Sequence, residues 1–234
     1  LSLAYILAGS CLFAAALKRH WRVGSLIVFA AALSSGFNFI DFLVNPPMMP
    51  MLIAFFVLVD GHREAGPLAL AAVIAWFGGY AETWLAKWVL AYLALPHAAG
   101  VITDIVNTVE FRTVGVLNGV ILFPLASTLR AYLRALSRVG VIVPIVIAFA
   151  VAHYAATMSR IDWRRALWLS SPLLVPVLWF EALSSHTQWH LTVSSRSAAL
   201  AVALALSAAV LSMQRRPSLR DLRHHLALVT AKLR

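Results

Sequence analysis

Apolar residues in this chain fall in long runs, not in strand-like alternation. LSLAYILAGSCLFAAAL (1–17) is apolar on nearly every face and stops at KRHWR (18–22). A second run, 23–44, closes on Phe39-Ile40-Asp41-Phe42, and a short third, 48–59, stops at DGHRE (60–64). Residues 67–95, 139–158, 166–184 and 197–213 are further runs. A helix apolar all round is either buried or spans a bilayer, and about 20 mostly apolar residues reach across the hydrocarbon core. The pattern predicts an all-α, polytopic transmembrane helix bundle of about seven spans, a single domain over 1–213. Residues 67–95 are long enough to cross at a tilt. Asn45-Pro46-Pro47 with Pro50 separates the second run from the third, because proline lacks the amide donor and clashes with the preceding turn.

Composition narrows the class. Of 234 residues, 62% are hydrophobic and 12% charged, with a mean hydropathy of +0.85. Soluble domains run near half apolar and about a quarter charged. A chain of this size cannot bury so much apolar surface away from water. Soluble enzymes, disordered tails, coiled coils and disulfide scaffolds are excluded together. The single cysteine, Cys11, allows no intrachain disulfide. The chain opens on Leu1, already inside an apolar run and with no basic stretch before it. That start predicts processing or further upstream sequence, not a secretion signal.

Charge sets an expected orientation. Nineteen Lys+Arg against nine Asp+Glu leave a net +10, which in this setting reads as the positive-inside bias and not as a nucleic-acid footprint. With KRHWR in the cytoplasm, DGHRE is also inside. RIDWRR (160–165) and QRRPSLRDLRHH (214–225) follow if 96–138 stays outside and 114–129 does not cross. The segment 96–138 is then an extracytoplasmic piece, partly interfacial or re-entrant. Irregular backbone at that depth survives only against protein or a wet cavity. The expected location is the bacterial inner membrane, with the C-terminus cytoplasmic. In the tail, 214–234, Ser218 and Asp221 form a capping-box variant ahead of Leu219, Leu222, Leu226, Val229 and Leu233. With its arginines and lysine it reads as a basic amphipathic helix on the anionic leaflet.

Ionisable groups inside spans are costly and are functional candidates by default. Asp41 falls at the outer end of the second span; it can act in chemistry or cap a helix and pair with an arginine. Glu82 and Lys87, five apart, sit about 140° apart on a helix and so each needs a partner elsewhere. Gly78-Gly79 permits close helix approach. Trp76, Tyr80, Trp84, Trp88 and Tyr92 repeat every four residues, forming an aromatic face that suits packing or the stacking of sugar rings or an isoprenoid chain. Asp104, Asn107 and Glu110 share a helical face near Arg112. That cluster suits an acid–base pair or an Asp/Glu–Arg link holding an outer loop. His186 and His190 at i, i+4, with Glu181 nearby, have metal-ligand spacing. Thr187 stands where a catalytic glutamate would be needed, no metal is expected, and phosphate recognition with Arg196 is the alternative.

The order of FNFIDFLVNPP (37–47), GGYAETWLAKW (78–88), EFRT (110–113) and SSHTQWH (184–190) resembles bacterial polytopic membrane glycosyltransferases of the GT-C-like type. The resemblance covers roughly residues 37–196. It implies transfer of a sugar from a polyprenyl-phosphate donor to an acceptor at the outer membrane face, with no cofactor. It further implies Asp41 as the catalytic base, with Arg112, His186 and His190 near the lipid phosphate and Lys87 as a structural or anion-pairing group. The pattern departs from the family in two places. No acidic outer loop precedes the first span, and LTVSSR follows HTQWH in place of an aromatic-rich continuation. With these departures the resemblance implies a partial or degenerate relative. The competing expectation is a non-catalytic subunit packed beside other membrane subunits.

Overall fold

The computed structural model describes residues 2–40, 46–61, 64–95, 98–114, 116–117, 120–121, 146, 149–150, 161–183, 185 and 196–213. The helices are α1 (Ser2–Lys18), α2 (Val23–Asn38), α3 (Met48–Asp60), α4 (Ala65–Ala94), α5 (Ala98–Thr113), α6 (Trp163–Ser170), α7 (Leu174–Ala182) and α8 (Arg196–Leu211). Among the described residues the only strands are β1 (Val116–Leu117) and β2 (Val120–Ile121), an antiparallel pair with Val116 opposite Ile121. Within 114–129 the described pairs Val116–Leu117 and Val120–Ile121 are thus extended, not helical.

Among the described residues one helix, α4 with 30 residues, is long and apolar enough to cross a membrane. It rises about 45 Å against a hydrocarbon core of about 30 Å. α1, α2, α3 and residues 200–211 are apolar but shorter, at 10–17 residues. The second apolar run differs from expectation, since α2 ends at Asn38 and not at 44. The run 166–184 also differs. It begins three residues earlier, at Trp163, where the Asp162 side chain accepts a hydrogen bond from the Arg165 amide at 3.1 Å and caps α6. It then tightens to a 3₁₀ turn over Ser171–Leu173. Pro172 removes an amide donor there, so the α-helical ladder cannot run through. The tail 214–234 lies outside the described residues.

The core is formed where α4 runs along α2 and α3, with α1 against α3. Phe13, Ala30, Phe37, Met49, Ile53, Ala72 and Trp76 are fully enclosed there. Three contacts gather the turns at one end of the bundle. The Lys18 ammonium pairs with the Asp60 carboxylate at 2.8 Å, joining the ends of α1 and α3. The Trp168 ring lies where a side chain on Gly66 would sit, bringing α6 to the start of α4. The Asp162 amide donates to the Ser212 carbonyl at 2.9 Å, closing α8 onto α6.

The α1–α2 turn is made by a single left-handed residue, His20, at φ 54°. The His20 amide donates to the Leu17 carbonyl and the Trp21 amide to the Ala16 carbonyl. That is a Schellman cap with histidine where glycine usually stands. A side chain in this region costs about 1–2 kcal/mol. His20→Gly is expected to raise stability by about 0.5–1 kcal/mol, the cost of glycine's extra unfolded-state entropy offsetting part of the relief. Thermal unfolding in detergent checks this; a lowered midpoint would refute the strain reading.

Candidate functional site

The candidate site forms on the face of α4 along which α5 folds back. The residues of α4 that face inward here, Val73, Phe77, Tyr80, Ala81 and Trp84, follow helical spacing. α7 supplies Val175, Leu178, Trp179 and Ala182 on the same spacing, and the last two turns of α5 supply Thr108, Val109, Arg112 and Thr113. Together they line a cavity of about 590 Å³, within the range of small-molecule sites.

The walls are aromatic and fixed by ring contacts. Phe77 stacks on Trp179 with centroids 5.3 Å apart, Tyr80 meets Trp179 edge-on at 6.1 Å, and Tyr80 stacks on Trp76 at 5.5 Å. Arg112 is the one charged residue among the described lining. Its half-buried guanidinium has no carboxylate within ion-pairing distance among the described residues. Burial lowers its proton affinity below the ordinary guanidinium value, and the nearby Tyr80 acts in the opposite direction. A cation partly removed from water and walled by aromatic rings is a receptor for an anionic group attached to an apolar body.

The other predicted site residues distribute differently. Lys87 does not line this cavity. Its ammonium donates to the Asn38 backbone carbonyl at 2.8 Å and also to the Asn38 side-chain oxygen, and lies 4.4 Å from the centre of the Phe39 ring. The Asn38 amide in turn donates to the Tyr80 carbonyl at 3.0 Å. Lys87 therefore ties the end of α2 to α4, where a cation also favours the helix C-terminus. Asp41, His186 and His190 lie outside the described residues. Asp104, Asn107 and Glu110 are exposed on α5, turned away from the cavity lining. The expected Asp/Glu–Arg112 link is not formed among the described residues. Glu82 is exposed as well.

Two features escaped the reading of the sequence. Trp179 and its α7 neighbours read only as part of an apolar run, although Val175, Leu178, Trp179 and Ala182 already had one-face spacing. The aromatic repeat on α4 divides between two roles: Trp76 is fully buried core, whereas Tyr80 and Trp84 border the cavity. No family model, curated protein or solved structure matches this chain.

Proposed function

We propose that the chain is a multi-pass bacterial inner-membrane protein that seats a polyprenyl-phosphate lipid between α4, α5 and α7, as polyprenyl-phosphate-dependent glycosyltransferases of the outer face do. In this reading the short apolar helices also sit in the bilayer, giving about seven spans with the C-terminus cytoplasmic. The observation that carries the proposal is the half-buried Arg112 at an aromatic-walled cavity without a carboxylate partner among the described residues. The isoprenoid chain lies against Phe77, Tyr80 and Trp179, where stacked apolar walls replace lipid contacts. The phosphate meets the guanidinium, whose planar fork suits bidentate binding of phosphate oxygens. Asp41 is then the base that activates the acceptor, with His186 and His190 beside the phosphate.

The test is photolabelling of the full chain in detergent with a diazirine-bearing polyprenyl phosphate. Arg112→Gln is expected to weaken labelling at least about tenfold, because a charge-assisted bond to phosphate contributes roughly 1.5–3 kcal/mol. Ala81→Trp, which fills the cavity from an exposed position on α4, is expected to do the same. Asp41→Asn is expected to keep labelling and lose sugar transfer. Wild-type labelling by both Arg112→Gln and Ala81→Trp would end this reading. It would favour the non-catalytic subunit, for which α4 offers an exposed apolar flank at Leu85, Leu90 and Leu93.

A further inference from the structure

A second concavity lies on α2, and no residue lines both it and the Arg112 cavity. It is an open groove of about 630 Å³ bordered by Trp21, Arg22, Ser25, Val28, Phe29 and Ala32. Its floor is built, not incidental. The left-handed His20 turns the chain so that the Trp21 ring comes to 5.6 Å from Phe29, and Phe29 stacks on Phe13 at 6.2 Å. Phe13 is wholly buried, so the floor is anchored in the core. Gly24 lies beside open space, and Val28 is 68% exposed, so the described residues leave the groove unfilled on that flank.

The chemistry changes along the groove. Arg22 and Trp21 stand at one end, and Val28 and Ala32 extend from it for about two to three helical turns, roughly 15 Å. Lys18, the neighbouring cation, is already paired with Asp60. Arg22 and Arg19 are exposed and have no ion-pair partner among the described residues. A free phosphate would use only the arginine end, and an alkane only the apolar end. A tryptophan beside a cation at the mouth of an apolar groove matches the depth profile of a bilayer interface, where rings sit at headgroup level and acyl chains lie below.

We propose that this groove holds one anionic glycerophospholipid, its phosphate on Arg22 and an acyl chain along Val28, Phe29 and Ala32. Charge complementarity names the headgroup class, and the ring-lined floor fixes where the chain lies. This site is independent of the reading given to the Arg112 cavity.

Native mass spectrometry of the full chain, released from detergent after titration with dioleoyl phosphatidylglycerol or dioleoyl phosphatidylcholine, tests it. One phosphatidylglycerol is expected to be retained per chain, at least tenfold more tightly than phosphatidylcholine. Arg22→Gln is expected to lower that retention about tenfold, and Arg22→Lys to restore most of it. Val28→Trp, which occupies the groove at an exposed position and leaves the cation in place, is expected to lower it equally. Arg112→Gln is expected to leave it unchanged, which separates this site from the other cavity. Equal retention of the two lipids, or wild-type retention by both Arg22→Gln and Val28→Trp, would overturn the proposal.

Discussion

Trp76→Ala is expected to be the most damaging single change in the bundle, lowering stability by about 3 kcal/mol. Trp76 is completely enclosed, and its ring contacts Phe37 at 5.9 Å, Phe77 edge-on at 5.2 Å and Tyr80 at 5.5 Å. Truncation leaves a void between α2 and α4 and removes three aromatic contacts. In the bilayer setting proposed above, the transfer of apolar surface from water contributes little, so the loss comes from dispersion and packing. That places the cost at the lower end of the range of about 3–5 kcal/mol for burying and then losing a tryptophan. A control sharpens the test. The indole N–H of Trp76 is buried with no hydrogen-bond partner among the described residues, and an orphaned donor costs about 1–3 kcal/mol. Trp76→Phe keeps most of the ring and removes that donor, so it is expected to be within about 1 kcal/mol of the parent. Thermal unfolding in detergent separates the two: the alanine variant is expected to fall by roughly 6–12 °C. Equal damage from both substitutions would mean that the indole N–H has a partner and that packing is not the main contribution.

Gly79→Ala is expected to cost about 2–3 kcal/mol through overpacking, although it adds one methyl group. A Cβ on Gly79 would sit 2.5 Å from the Ala31 carbonyl oxygen and 2.5 Å from the Ser34 hydroxyl oxygen. The carbonyl belongs to backbone and cannot swing aside. It also accepts from the Ser34 hydroxyl at 2.7 Å and the Ser35 hydroxyl at 3.1 Å. Ser35 is within 3.3 Å of the Gly79 carbonyl, which the Thr83 hydroxyl approaches at 2.9 Å. Separating α2 from α4 to admit the methyl would stretch this hydroxyl seam as well as the apolar contacts. The comparison is Gly78→Ala, one residue away, where an added Cβ meets nothing within 4 Å. There the replacement is expected to be neutral or stabilising by up to about 1 kcal/mol, from helix propensity. Measured melting midpoints that fall equally for the two alanines would show that the seam is not the closest approach of these helices.

The glycine pair illustrates how far the sequence could be read. GG inside an apolar run announces that two helices meet closely, but the two glycines stand side by side in that run and nothing in it says which one makes the contact. Only the rotation of α4 against Ala31 decides that Gly79 is the contact. Lys87 is similar. Its place in an apolar run required a polar partner, yet the partner, Asn38, is 49 residues away and sits on another helix. Arg112 stands out in the sequence beside Asp104, Asn107 and Glu110 and within the EFRT motif of the resemblance. Its position at an aromatic cavity depends on α5 folding back along α4, and the run 96–138 contains nothing that states the direction of that return. Asp104 and Glu110, equally prominent as letters, turn outward on the same helix.

Alone, the string of residues determined element positions. The runs 1–17, 48–59 and 67–95 lie within one or two residues of α1, α3 and α4, and 197–213 closely matches α8. Those boundaries are local: charged turns, prolines and glycines end a helix whatever surrounds it. Which face of each helix turns inward was decided only by the tertiary structure. α1 and α3 are apolar nearly all round, so their pattern carries no stripe to name the inner face, and the aromatic repeat on α4 divides between core and cavity; shape complementarity between distant side chains makes that choice.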